Sequence, residues 1–194
     1  MEYGAIKKIN WVYLLVYILA PMAVNTLITG IGLILDPTGK VMAIASMVLM
    51  IASLAWWFMG GQYLFKKQRN KFEAQLDQSG FIRNHTFYGR GCTVTVDVNA
   101  GQIGLLFFWN PFKPYVLPAS RLEKAWVDDG RHGSGIFEGS SQVSFVMLID
   151  AIKIRVYTFT TNRVKSMNSD YIKTGISKAE KVVQAIEAAK AMSK

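Results

Sequence analysis

Residues 11–35 read WVYLLVYILAPMAVNTLITGIGLIL and residues 41–65 read VMAIASMVLMIASLAWWFMGGQYLF; neither run contains a charged side chain. About 20 mostly apolar residues in a helix cross the hydrocarbon core of a bilayer, so each run is long enough to span it with some tilt. A buried hairpin inside a soluble core is the competing reading. A chain of 194 residues lacks the mass to cover two such helices on every side. The sequence therefore predicts a two-helix transmembrane hairpin. Asp36-Pro37-Thr38-Gly39-Lys40 forms its turn, because Pro37 and Gly39 break helix there.

The flanks orient this hairpin. Lys7 and Lys8 precede the first run, and Lys66, Lys67, Arg69 and Lys71 follow the second. Lys and Arg are retained on the cytoplasmic side, so a multi-pass inner-membrane protein with cytoplasmic N- and C-termini is expected. Trp11, Tyr13 and Tyr17 at one end match Trp56, Trp57 and Tyr63 at the other, as an interfacial aromatic belt requires. Pro21, Asn25, Thr26 and Thr29 interrupt the first run. A kink and interhelical hydrogen bonds account for them, and two helices alone cannot enclose a transport path. Gly30, Gly32, Gly60 and Gly61 allow close helix approach and leave homo-oligomerisation open. The first run is far longer than a signal-peptide core, and no small-residue cleavage site follows it.

The rest of the chain is basic. Residues 66–194 hold 19 of the 22 Lys and Arg and 11 of the 13 Asp and Glu, which places +8 of the net +9 there. Beside a bilayer, each such cation adds about 1 kcal/mol of attraction to anionic lipid. Nucleic acid is the other usual partner of a basic domain, but the attached membrane favours lipid, and no specific nucleic acid is expected. Cys92 is the sole cysteine, which excludes an intrachain disulfide and suits a reducing compartment.

Three regions result: a tail and hairpin over residues 1–65, a helical linker over 66–79, and a cytoplasmic domain over 80–194. KKQRNKFEAQLDQ (66–78) continues the second helix until Ser79-Gly80 stops it. From Phe81 the period becomes two. In residues 92–98, Val94, Val96 and Val98 share one strand face, and Thr93, Thr95 and Asp97 share the other. Asn99-Ala100-Gly101 turns this strand into a partner over 102–109, forming a hairpin. Residues 113–117 and 121–128 read as two further strands, and 142–149 with 151–159 as a second hairpin about Asp150-Ala151. After Asn162 the pattern turns helical. Asn168 or Ser169 caps the helix, and Ile172, Ile176, Ala179, Val183 and Ile186 form its apolar stripe.

About seven antiparallel strands closed by one C-terminal helix is a specific order of elements. With Val94 through Asp97, Gly101-Gln102-Ile103, Tyr115 through Pro118, Arg121-Leu122 and Val127 through Gly130, it resembles the pleckstrin-homology-like (PH-like) barrel of bacterial membrane-attached proteins. The resemblance implies an α+β domain, an antiparallel PH-like β-barrel of about seven strands, over residues 80–192. It also implies a scaffold that binds lipids or proteins without catalysis or cofactor. Phosphoinositide-binding members use a dense basic cluster on their first two strands, and here Arg83 and Arg90 alone occupy that stretch.

Candidate chemistry is sparse. Gly130-Arg131-His132-Gly133-Ser134-Gly135 is neither a phosphate-binding loop nor a dinucleotide fingerprint, since no Gly-Lys-Ser/Thr and no helix follow, and it reads as a loop. His132 with Asp128 and Asp129 is the one acid/base or metal candidate, but His85, Cys92 and this group share no ligand spacing. Catalytic, cofactor and metal residues are therefore not assigned. Trp109, Phe112, Lys113 and Tyr115, framed by Pro111 and Pro114, are expected to form an exposed aromatic loop that enters the headgroup region or docks a partner. The leading expectation is a non-enzymatic inner-membrane protein whose domain binds a protein partner or the anionic membrane surface. The alternatives are an exclusion or defence protein of a mobile element, acting on conjugation entry or phage superinfection, and a membrane enzyme using His132 with Asp128 and Asp129.

Overall fold

The computed structural model describes residues 5–35, 40–132 and 138–193. The expected turn at 36–39 and Gly133 through Gly135 of the glycine-rich loop lie outside the described residues. The chain divides into two compact units. One contains Lys7–Lys71 and Phe108–Phe112; the other contains the tail through Ile6, Phe72–Phe107 and Lys113–Lys194.

The first unit is helical. It holds α1 (Trp11–Leu35), α2 (Lys40–Ala55) and the first part of α3 (Gly61–Gln78), with one π turn, Trp56–Gly60, between α2 and α3. Trp11–Gly32 and Ile44–Gln78 are long and apolar enough to cross a membrane, and 6% of each apolar window is buried within the protein. A helix satisfies its backbone groups inside the segment, the condition that lets so apolar a run leave water. Two hydroxyls inside these helices return to their own backbone: Thr26 donates to the Met22 carbonyl at 2.9 Å and Ser53 to the Leu49 carbonyl at 2.8 Å. In α1 the half-buried positions Pro21, Asn25 and Thr29 recur every four residues, and α1 packs on α2.

Among the described residues the second unit holds the end of α3, from Phe72, most of eight strands and a C-terminal helix; β4 begins in the first unit. The strands are β1 (His85–Gly89), β2 (Cys92–Asp97), β3 (Gln102–Phe107), β4 (Asn110–Pro118), β5 (Leu122–Asp128), β6 (Arg131–His132), β7 (Gly139–Ile149) and β8 (Ile152–Ser166). Helix α4 (Asp170–Met192) follows. One antiparallel sheet runs β1-β2-β3-β4; in the other β7 pairs with β5, β6 and β8. The fold is α+β, as expected, but the closed barrel of about seven strands is corrected. The two sheets are open. Among the described residues they are joined by one isolated bridge, between Arg90 and Tyr157, and β4 forms no ladder with β5. Pro111, Pro114 and Pro118 lie on β4 and carry no N–H to donate, which is how a strand is kept at an edge.

The inner faces share one core. Val94, Val96, Ile103, Leu105, Phe145, Met147, Ile154 and Val156 are each no more than 1% exposed, and Phe87 meets Phe145 edge-on at 5.4 Å. Helix α4 covers this core with Ile172, Ala179, Val182, Ile186 and Ala189, while Ile176 and Val183 sit at its margin. Gly175 brings the helix close, since a Cβ there would lie 2.9 Å from the Phe159 Cβ. Ser169 occupies the N-cap position, but no side-chain bond caps the helix.

The central strands β2 and β3 are buried on both faces, which the alternation of valine and threonine did not indicate. Thr93, Thr95 and Asp97 are at most 1% exposed because the second half of α3 lies over them. Phe72 and Leu76 are 1% and 0% exposed, and a Cβ on Gly104 would lie 3.1 Å from the Phe72 ring. The second unit therefore takes in the chain from Phe72, inside the stretch that reads as a linker. Asp97 ties this layer down by accepting from the Ile82 N–H at 2.7 Å and the Ala100 N–H at 2.9 Å.

Candidate functional site

Two clusters stand out, one in each unit. In the helical unit, Phe108–Phe112 join the aromatic residues at the base of the helices. Trp109 meets Tyr17 edge-on at 6.0 Å and Phe108 at 4.8 Å, Phe108 meets Phe65 at 5.3 Å, and Phe112 meets Tyr13 at 5.5 Å. Backbone bonds hold the segment in place. The Asn10 N–H donates to the Trp109 carbonyl at 2.8 Å, and the Asn110 amide donates to the Lys7 carbonyl at 2.7 Å.

Tyr17 organises this cluster. A π turn widens the helix by one residue and releases carbonyls from the regular ladder. The Tyr17 hydroxyl lies 2.6 Å from the Trp57 carbonyl and 3.1 Å from that of Trp56, and it accepts from the Gly61 N–H at 3.1 Å. Gly61 is required for this approach, because a Cβ would stand 2.7 Å from the same hydroxyl. Tyr13, one turn earlier and stacked on Tyr17 at 5.9 Å, has a buried hydroxyl with no partner among the described residues.

Of the four residues expected to form an exposed loop, Trp109 is 37% exposed and Phe112 is 56% exposed, and both pack on tyrosines of α1. Lys113 is exposed, with its Nζ 6.0 Å from the Tyr115 ring. Tyr115 corrects the expectation. It is 1% exposed and packs edge-on against Phe107 at 6.1 Å, because β4 alternates and turns this position into the core. Among the basic flanks, Lys7, Lys8, Lys66, Lys67 and Lys71 are exposed and Arg69 is half-buried.

The second cluster lies on the outer face of the β5-β7-β8 sheet, and the sequence reading missed it. Cross-strand register sets Trp126 beside Val146 and Arg155, and Lys124 beside Leu148 and Lys153. The Nζ atoms of Lys124 and Lys153 each lie 5.6 Å from the Trp126 ring centroid. A cation over an indole is attracted by the ring quadrupole, about 0.5–1 kcal/mol at an exposed site. Arg155 binds the Asp128 carboxylate at 2.5 Å on the same face. The signal was present as Lys124-Ala125-Trp126 and Lys153-Ile154-Arg155, two period-two triplets, but only the register brings them together.

The remaining candidates are dispersed. His132 is exposed on β6, Asp128 is held by Arg155, and Asp129 binds Arg131 at 3.0 Å. Among the described residues no three His, Cys, Asp or Glu side chains converge as a metal site. Cys92 is 3% exposed, and burial pushes its thiol up to about 12, away from the thiolate form that reacts. Asn84 uses its side-chain oxygen to accept from the Val98 N–H at 2.8 Å. Comparison with protein-family models, curated proteins and solved structures finds nothing that matches this chain.

Proposed function

We propose that the chain is a non-enzymatic, two-span protein of a bacterial inner membrane, with both termini cytoplasmic, whose α+β domain docks a protein partner on the Trp126 face. The observation that carries this reading is Trp126 between Lys124 and Lys153. Tryptophan and arginine are the residues that most often anchor interfaces, and this face offers both beside a carboxylate. A mixed-charge patch around an aromatic suits a protein surface better than a lipid surface, which would favour cations alone. The order of elements, antiparallel strands followed by one packed C-terminal helix, supports kinship with the PH-like superfamily, with open sheets as a departure. Trp109, Phe112 and Lys113 then serve the lipid boundary, where tryptophan and tyrosine belts concentrate.

The net +8 of residues 66–194 favours a second role in holding the domain near anionic headgroups. A photo-crosslinking amino acid at position 126 of the full chain in cells tests the main reading. A protein adduct of defined mass that disappears in Lys124→Glu/Lys153→Glu is expected. Adducts confined to lipid, or a protein adduct from position 112 and none from 126, would refute docking on the Trp126 face.

A further inference from the structure

We infer that the helical unit pairs with a second copy of itself through the cleft that Asn25 lines. Two clefts flank the contact between α1 and α2. The larger, about 730 Å³, is lined by Met22, Asn25, Thr26, Thr29, Ser46 and Met50, among others. The smaller, about 300 Å³, lies on the other side of the contact and is also reached by Asn25. Outward positions that do not line this cleft are large and apolar; Leu27, Ile31 and Ile44 are between 51% and 70% exposed.

The larger cleft sets the polar side chains of Asn25, Thr26, Thr29 and Ser46 among methionines. Thr26 and Ser53 satisfy their hydroxyls on their own helices, whereas Asn25 is engaged only as the acceptor of a 3.5 Å contact from Thr29. Its amide N–H groups make no hydrogen bond among the described residues. In hydrocarbon, such a donor requires a partner, and polar side chains in spans accordingly bond across helices. A carboxamide carries donors and acceptors together, so it complements another carboxamide across a two-fold axis. A second copy supplies that group at the same depth, and no other chemistry is needed. Gly30 lies on this face with nothing within 4 Å of where a Cβ would stand, so an incoming helix can approach closely there.

The inference rests on both helices lying in lipid. It is tested on the full chain in native membranes, with Cys92 replaced by Ala and one cysteine introduced, oxidised by copper phenanthroline. Thr26→Cys, in the cleft, should give a disulfide-linked product of twice the chain mass, and Leu27→Cys, one residue on and facing away, should not. Adding Asn25→Leu to the Thr26→Cys chain should weaken pairing roughly three- to twentyfold, the range of one interhelical hydrogen bond. Equal crosslinking at 26 and 27, no product, or a product of another mass would overturn the pairing. Carbonate extraction of the same membranes separates the two failures. A retained but uncrosslinked chain refutes the pair alone, and a chain in the wash refutes the span.

Discussion

Tyr13 and Tyr17 are one helical turn apart, stacked on each other, and should respond in opposite senses to the loss of a hydroxyl. In Tyr17→Phe the Gly61 N–H loses its acceptor at 3.1 Å and the Trp57 carbonyl loses a donor at 2.6 Å. A net hydrogen bond contributes about 1 kcal/mol, and a buried group left unpaired costs about 1–3 kcal/mol, so the change should destabilise the helical unit by about 2–4 kcal/mol. Tyr13→Phe removes a hydroxyl that has no partner among the described residues and leaves the ring contacts with Tyr17 and Phe112 intact. It should be neutral or stabilise by up to about 1 kcal/mol. Denaturant unfolding of the detergent-solubilised full chain, followed by near-ultraviolet circular dichroism, compares the two directly. If both variants matched the parent within about 0.5 kcal/mol, or Tyr13→Phe were the weaker, the hydroxyl of Tyr17 would not be what closes the π turn.

Three further outcomes are expected in the second unit. Asp150 and Ala151 turn β7 into β8 with φ of 49° and 62°; the left-handed region costs a non-glycine residue about 1–2 kcal/mol, so Ala151→Gly should raise the unfolding midpoint. The buried Thr95 hydroxyl has no partner among the described residues, and Thr95→Val keeps the shape while removing it, with an expected gain of about 1 kcal/mol by thermal melting. Cys92 should resist maleimide in the native chain and react on unfolding. Its raised folded value means that the native state keeps the proton when the unfolded thiol has lost it. Stability is therefore full below about 9 and falls as pH rises toward about 12, and this decline should be absent in Cys92→Ala.

What could be read from the residues depended on how local the determining physics was. The apolar run at 11–35 matches α1 because length and hydrophobicity alone decide it. The hairpins about Gly101 and Asp150 follow from period and turn residues, and Ile172, Ala179 and Ile186 mark the buried stripe of α4. The burial of Thr93 and Thr95 was not legible, because their polarity signals solvent and nothing local shows that Phe72 and Leu76 cover them. Strand β8 runs to Ser166, well past the expected end near 159, because pairing with the start of β7 overrides the polar Thr160-Thr161-Asn162-Arg163. Tyr115 was misjudged because a proline-framed aromatic reads as a loop, although edge strands accept proline. Trp126 was invisible as a site because Lys153, which joins Lys124 beside it, lies 27 residues further along the chain.

Topology fusions test the two-span arrangement most directly. Alkaline phosphatase, active only outside the cytoplasm, and green fluorescent protein, fluorescent here only inside it, are fused in turn after residue 194, before residue 1 and within residues 36–39. Two spans with both ends inside predict fluorescence at each terminus and phosphatase activity solely at 36–39. Phosphatase activity from the C-terminal fusion, or fluorescence from all three, would contradict it.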